Sequence, residues 1–416
     1  MKFSLNKRPL AFIAAFFALL FQLNAQIPKL SDRARFSVLT CSPGADLYSL
    51  FGHSAFRLQD SIGGRYYDVV YNYGTFLFDE TFYVKFARGK LDYLLQSSTY
   101  DDFIASYEYE GRGVWEQQLR LTSTEKQRLF ELLQTNLKRD NCTYRYDFFY
   151  DNCSTRIRDM LMRALADTDT APWGFRSVAL DSLRNHSPIQ FSYQRPEDQT
   201  YRKAIQTYLD YQPWSDFGID LALGQPCDVK VGDMGLMFLP DSLMKELEFA
   251  TVDGELLCKA PAQLLPLNVE LTVNTGFSPM GVLSIFLLIH LILHVIYRSR
   301  NTFLITDYIL FIVLGLLGCL MVFLWFFTDH TTTHLNWNLL WAHPLFWVFF
   351  FSRKLSKTIM RRLVIVLFSL AAVAIVGYPL IPQSFNPAAF LLMLALCITF
   401  GKWLVQFKRL NPSTDS

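Results

Sequence analysis

The chain has 416 residues, 51% of them hydrophobic and 18% charged, with a formal net charge of +2. No basic stripe interleaved with aromatics occurs, which argues against nucleic acid as a partner. The apolar residues crowd into the last third of the chain, which excludes a wholly soluble protein.

At the N-terminus, Lys2, Lys7 and Arg8 precede an apolar run from Leu10 to Leu23, and Ala25 offers a small residue before Gln26. This is the pattern of a secretory signal over residues 1–25, with a mature start expected near Gln26 and an uncleaved anchor as the alternative. Either would send residues 26–275 across the membrane, a length suited to one sizeable core. Phe36–Thr40, Ser54–Leu58 and Arg65–Tyr73 read as strands, with turn residues Asp60-Ser61-Ile62-Gly63-Gly64 before the third. Val114–Leu121 alternates like another strand, and the capping box Thr122-Ser123-Thr124-Glu125 opens a helix to about Leu137. Cys142–Phe149 reads as extended. It leads into an amphipathic helix with Ile157, Met160, Leu161, Ala164 and Leu165 at helical spacing. Helical stretches are expected near Ser177–Asn185 and Thr200–Tyr211. Asp220–Gly224 reads as a groove-closing segment or a capped turn, and Gly232–Ala260 as a small strand-containing subregion facing the membrane. Strands and helices mix without regular alternation, so the class is α+β. No internal repeat recurs.

The remainder, 276–410, holds five apolar stretches at about 279–297, 307–327, 337–351, 363–382 and 388–405. Most are long enough to span a bilayer as α-helices. The third is short and carries Trp337, Trp341 and Trp347, as an interfacial helix would. Arg298 and Arg300 follow the first stretch. Arg353, Lys354, Lys357, Arg361 and Arg362 follow the third, and Lys402, Lys408 and Arg409 close the chain. Loops 328–336 and 383–387 contain no Lys or Arg. By the positive-inside rule the C-terminus is cytoplasmic and the large domain lies outside. The expected location is therefore a membrane crossed several times, with the large domain on the side away from the cytoplasm.

Five of the seven cysteines, Cys41, Cys142, Cys153, Cys227 and Cys258, fall in the exported region; Cys319 and Cys397 fall within spans. An odd number leaves at least one thiol unpaired in an oxidising compartment. Cys227–Cys258 and Cys41–Cys142 are conceivable bridges, and Cys153 is the chosen free thiol. Asp151 or Asn152 would cap the helix that starts at Cys153, whose N-terminal dipole and free N–H groups favour a thiolate. His53, in Phe51-Gly52-His53-Ser54, is the candidate imidazole, and His186 is the weaker one. Asp68, Tyr71 or Asn72 would orient the ring, with strand alternation allowing only some of them to face it. Arg156 or Arg158 would meet a lipid phosphate or be a solvated surface group. The aromatic runs Tyr73–Phe76 and Phe82–Gly89 would form core or line an acyl-chain groove. A polar loop, Asp329-His330-Thr331-Thr332-Thr333-His334-Leu335-Asn336-Trp337-Asn338, stands between apolar stretches. Its functional candidates are Asp329, His330, His334, Asn336 and Asn338, for headgroup contact or docking to the exported domain rather than metal binding.

The order of His first and Cys at a helix start resembles the circularly permuted NlpC/P60 branch of papain-like thiol enzymes. Phe51–Ser54, Tyr71-Asn72-Tyr73-Gly74-Thr75-Phe76 and Tyr150-Asp151-Asn152-Cys153-Ser154-Thr155 together resemble the periplasmic domain of the Lnb lipoprotein N-acyltransferases. Asp329-His330 and Asn336–Leu340 resemble that family's membrane domain. The resemblance implies a papain-like domain followed by about five transmembrane helices. It further implies transfer of an acyl chain from a phospholipid, through a Cys153 thioester, to the α-amine of a diacylglyceryl-cysteine lipoprotein. His53 would act as base, Asn152 and Arg156 would lie near substrate, and no cofactor or metal would be required. A membrane-anchored thiol hydrolase and a non-enzymatic envelope assembly factor are the alternatives; a disulfide at Cys153 would favour the latter.

Overall fold

The computed structural model describes residues 27–410, except 63, 77–78, 167–186, 194–195, 233 and 269–276. The expected leader, the Ser177–Asn185 helix and His186 lie outside the described residues.

The sheet follows from period-two patterning. β1 (Arg35–Cys41), β2 (His53–Ile62) and β3 (Arg65–Phe76) form an antiparallel meander, with Val38 opposite Phe56 and Phe56 opposite Tyr71. Side chains divide by parity. Phe36, Val38, Phe56, Leu58, Tyr71 and Tyr73 enter one core, while Leu39, Cys41, Ala55 and Val70 enter a second. A sheet buried on both faces needs covers on both, and the sequence supplies them. α1 (Phe82–Ala87) leads into β4 (Asp92–Thr99), and α2 (Tyr100–Tyr109) seals the second face with Phe103 and Tyr107. β5 (Val114–Gln118) pairs with β1. α3 (Ser123–Asn136) starts at the Thr122–Glu125 capping box, and β6 (Thr143–Arg145) edges β4. α4 (Cys153–Leu165) then covers the first face with Ile157, Met160, Leu161 and Ala164. The class is α+β.

α5 (Tyr201–Leu209) and α6 (Pro213–Ala222) form a helical pair, followed by α7 (Pro240–Phe249) and the hairpin β7 (Thr251–Val252) and β8 (Glu255–Leu256). Residues 232–260 thus contain strands as expected, in the β7–β8 hairpin, while α7 turns toward the sheet domain rather than the membrane. Leu243 and Leu247 stand one helical turn apart and bury α7 against the sheet domain's own core. β9 (Ala262–Leu265) completes a seven-stranded sheet in the order β6-β4-β3-β2-β1-β5-β9.

Four helices among the described residues are long and apolar enough to cross a membrane: α8 (Pro279–Ile296), α9 (Ile305–Phe326), α10 (Lys357–Val376) and α11 (Ala389–Leu410). The stretch expected as a third span is not an α-helix. It consists of 3-10 segments, Trp337–Leu340 and Pro344–Lys354, running back along α9. A Cβ on Gly318 would sit 2.7 Å from the Pro344 nitrogen. Phe311 packs on Phe346 and Phe349, and Tyr308 on Phe350. The segment therefore follows about 15 Å of α9. Pro344 suits an N-terminal turn, the tighter winding carries residues 344–350 over about 14 Å, and the segment kinks at Phe351. Seated against a helix that presents glycine, this backbone is shielded by protein.

The helical domain docks on α5 and α6. Arg202, 1% exposed, spreads its guanidinium over Asp228, the Asp220 carboxylate and the carbonyls of Asp220, Leu223 and Gly224. That fixes the turn after α6. On this turn, Asn336 Nδ2 donates to Leu221 O at 2.7 Å, Gln383 Nε2 to Leu223 O at 3.1 Å, and Gly224 N to Thr332 O at 2.8 Å. Asn386 reaches Asp216 and Asp220, each at 3.0 Å. Asp220–Gly224 is thus a docking platform.

Gly318→Leu should destabilise the full-length protein by about 1–3 kcal/mol in detergent through overpacking, read as a lower thermal midpoint. Gly281→Ala, whose new Cβ would meet only Ser278 Oγ at 3.5 Å, should leave it unchanged.

Candidate active site

The site begins with a helix cap. Asn152 Oδ1 accepts from the N–H groups of Ser154 at 2.9 Å and Thr155 at 3.0 Å, and Thr155 Oγ1 accepts from Asn152 N at 2.8 Å. Asn152 Nδ2 donates to Phe148 O and Phe238 O, both at 2.8 Å. Every strong polar group of that side chain is engaged, so Cys153 is held as the first residue of α4. The next residue ties the helix to the sheet: Ser154 Oγ lies 3.0 Å from Ser54 Oγ, both buried. Each serine adjoins a reactive residue. Their contact therefore sets Cys153 beside His53, the first residue of β2.

Gly74 makes the proximity possible. It has φ +103 at a register shift in β3, and a Cβ there would stand 3.3 Å from His53 Cε1 and 3.7 Å from Cys153 Cβ. Only glycine combines that backbone with that space. His53 Nε2 is 2.6 Å from Asn72 Oδ1. An amide oxygen only accepts, so Nε2 carries a proton and Nδ1 is the atom left for the hydrogen bond between His53 and Cys153. Burial works against charge on both groups, yet each favours the other's charge. The neighbouring imidazole and the Ser54 N–H draw the Cys153 thiol below its ordinary 9.0. The thiolate and Asn72 lift His53 above 6.5 against that same burial. The contact favours the thiolate–imidazolium form of the pair, with a neutral amide behind the ring, an arrangement that can serve nucleophilic chemistry. Cys41, on the second core face, is pushed by burial to about 12 and stays a thiol.

An aromatic file leads away from the sulfur. Tyr93 and Tyr146, both close enough to Cys153 for its charge to act on them, stack at 4.1 Å. Phe76 lies 5.3 Å from Tyr93, Phe82 5.1 Å from Phe76, and Phe86 6.4 Å from Phe82. Phe86 is 53% exposed. Just past it, the Arg88 carbonyl accepts from Asp329 N at 2.9 Å, so the file ends beside the loop from the helical domain.

The other expected site residues fall elsewhere. Asp68 shares the face of Asn72 but is held by Arg57 at 2.7 Å and does not orient His53. Tyr71 has the opposite parity and accepts from Gln134 in the first core. Asn152 serves as the cap. Arg156 is 5% exposed, paired with Asp151 and seated over the Tyr144 ring, so it is neither solvated nor turned to a lipid. Arg158 is buried on Asp159. Residues 330–334 are not helical, so His330 and His334 do not share a helix face. Asp329 meets Lys90 at 3.7 Å and Arg145 at 3.5 Å. The His330 backbone abuts Gly89, and the His334 carbonyl abuts Gly224. Asn336 and Asn338 are buried on Leu221 O, so this loop docks the two domains. All seven cysteines are free, so neither conceivable bridge exists; Cys227 and Cys258 sit in separate cores. Sequence reasoning missed the Ser54–Ser154 contact, for which no local signal exists, and the role of Gly74. A glycine inside a strand pattern is a recognised sign of close approach.

Because Cys153 is drawn down, its thiolate persists below pH 9.0 and is lost only as pH falls through the lowered value. Alkylation by iodoacetamide should therefore set in below the ordinary thiol range. His53→Ala should move that onset upward, as measured by mass spectrometry of the Cys153 peptide. Asn152→Ala should cost about 1–2 kcal/mol of stability through loss of the cap, read by thermal unfolding.

The Lnb N-terminal periplasmic domain matches residues 30–186, and the Lnb transmembrane domain matches residues 271–410. No curated protein and no solved structure is matched. The first match takes in β1 through α4, with Cys153, His53, Asn72 and Gly74; the second takes in α8 through α11. The docking platform on α5 and α6 lies between them. A periplasmic sheet domain bearing the thiol is thus followed by a transmembrane helical domain, and the chain belongs to the Lnb family.

Proposed function

We propose that this protein is a lipoprotein N-acyltransferase of the bacterial inner membrane, working at its outer face. The observation that carries the reading is the Cys153–His53–Asn72 group joined by an aromatic file to Phe86, beside the docking loop. The family's connection with lipoprotein maturation supports it. So does the distribution of charge: the ten Lys and Arg residues after the first and third apolar stretches and at the chain end lie opposite loops that have none. On that topology the 3-10 segment returns the chain to the cytoplasmic face.

In the first half-reaction the Cys153 thiolate attacks the ester carbonyl of a phospholipid. The C–O bond breaks, the lysophospholipid oxygen takes the proton from His53 Nδ1, and the acyl chain remains on sulfur as a thioester. In the second, the α-amine of a diacylglyceryl-cysteine lipoprotein attacks that thioester. His53, now neutral, accepts the amine proton, the C–S bond breaks, and the thiolate–imidazolium pair returns with an amide formed. The Ser54 N–H beside the sulfur is a donor available to developing negative charge. Asn72 holds the ring with Nδ1 toward the reacting atoms through both steps. Both substrates are anchored in the bilayer, so docking the thiol domain on the membrane helices makes their encounter local. The free state of Cys153 weighs against a structural disulfide there, and with it against the assembly-factor alternative.

Cells carrying Cys153→Ser should accumulate lipoproteins with a free N-terminal α-amine, read by mass spectrometry of their N-terminal peptides. His53→Ala should reduce acylation by about 10²–10⁴-fold. Full N-acylation in the Cys153→Ser strain would exclude the proposal. Asp68→Asn should acylate normally, since Asp68 serves Arg57.

A further inference from the structure

Far along the helices from the docked domain, the transmembrane domain buries a cluster that acyl transfer does not use. His290 and His294 stand one turn apart on α8, at 0% and 6% exposure. Asp307, in the first turn of α9, and Thr399, on α11, are each 0% exposed. His290 lies 11 residues into α8, about 16 Å from the helix end nearest the periplasmic domain. Ionisable groups at such a place are costly and imply a task.

The hydrogen-bond pattern leaves room for a cation. His294 Nδ1 is 3.0 Å from the His290 carbonyl, which can only accept. The proton therefore sits on Nδ1, and Nε2 presents its lone pair. That nitrogen lies 3.3 Å from Asp307 Oδ1, which is a second acceptor when the proton is on Nδ1, and it has no other partner. Asp307 Oδ1 accepts from the Thr399 hydroxyl at 2.5 Å. His290 Nε2, 4.0 Å from the same oxygen, carries its proton toward Ala395 O at 3.2 Å and Thr399 Oγ1 at 3.1 Å. His290 Nδ1 has no hydrogen-bond partner. Lys402, on α11, is coupled to this carboxylate, but its Nζ hydrogen-bonds to nothing. Two acceptors facing each other across 3.3 Å in a dry interior call for a positive charge between them. The helical His294 Nδ1–carbonyl bond is the usual support for an imidazole that ligates through Nε2.

We propose that His290, His294 and Asp307 form a transition-metal site, suited to Zn²⁺, that clamps α8, α9 and α11 together. The ligand atoms lie within 4.8 Å of one another. Bonds of about 2.0–2.2 Å to a tetrahedral ion set neighbouring ligands about 3.3 Å apart. The His294–Asp307 pair already has that spacing. His290 moves its proton from Nε2 to the unpartnered Nδ1, gives up its contacts with Ala395 O and Thr399 Oγ1, and closes by a further 0.7 Å or so from 4.0 Å, while Thr399 holds the carboxylate. Two imidazoles and one carboxylate favour zinc or its first-row neighbours over Mg²⁺ and Ca²⁺, which prefer oxygen. The site is structural and independent of the thiol.

The test uses tag-free, full-length protein in detergent, incubated with Zn²⁺, desalted and measured by inductively coupled plasma mass spectrometry. About one equivalent per chain is expected, with at least a tenfold loss in His294→Gln and Asp307→Asn and a zinc-dependent rise in the thermal midpoint of the unmodified protein only. Less than a tenth of an equivalent in the unmodified protein would overturn the proposal, and would identify a protonated His294 as the missing charge. Unchanged zinc in both variants would overturn it as well. Co²⁺ loading of the unmodified protein needs no variant. Visible ligand-field bands without thiolate charge transfer support the site, while a thiolate band in the near ultraviolet places the metal on cysteine and overturns it.

Discussion

The placement of Cys153 beside His53 is the constraint on which the candidate site depends. The two are a hundred residues apart, on the first turn of a helix and the first residue of a strand. Neither element would hold the pair alone. Asn152 fixes where α4 begins, Ser54 and Ser154 fix how it meets β2, and Gly74 clears the space in which the ring and sulfur meet. The electrostatics follow from that geometry. Burial opposes charge on both partners, and only their contact, with support from Ser54 N–H and Asn72, reverses it.

The second constraint is the seating of this domain on the membrane helices. Exposed ion pairs such as those of Asp329 contribute little to it. The buried Arg202 shell is different: it presents the Leu221, Leu223 and Gly224 backbone at fixed positions, and Asn336, Gln383 and Thr332 read those positions directly. The same loop touches the strand-side residues 88–90, next to the aromatic file. The domain attachment and the exposed end of the aromatic file therefore share one surface.

Much of this was legible in the sequence where a local rule applied. Strand-forming runs and the turn at 60–64 gave β1, β2 and β3, the Thr122–Glu125 box gave the start of α3, and the Asp151–Asn152 pair before Cys153 narrowed the cap to two residues, of which Asn152 is the one. Parity along β3 separates Tyr71 from Asn72, but cannot separate Asn72 from Asp68, which share a face. Arg57 decides that, from across the sheet. Arg156 and the 201–228 platform were unreadable for a related reason, since their burial depends on partners distant in sequence. The third apolar stretch misled because aromatic content reports burial without reporting helix type. Pro344 and the glycines of α9 select the 3-10 path. The His290–His294–Asp307 cluster carried a local signal that was passed over: two histidines at i,i+4 inside an apolar stretch, with an acid opening the next.

The central claim is that Cys153 carries the acyl chain, and intact-mass analysis tests it directly. Purified full-length protein incubated with one defined phospholipid, without an amine acceptor, should gain the mass of one acyl chain. The adduct should map to the Cys153 peptide and be removed by hydroxylamine. A chain found on any other residue, or lysophospholipid released equally by Cys153→Ser protein, would contradict the account.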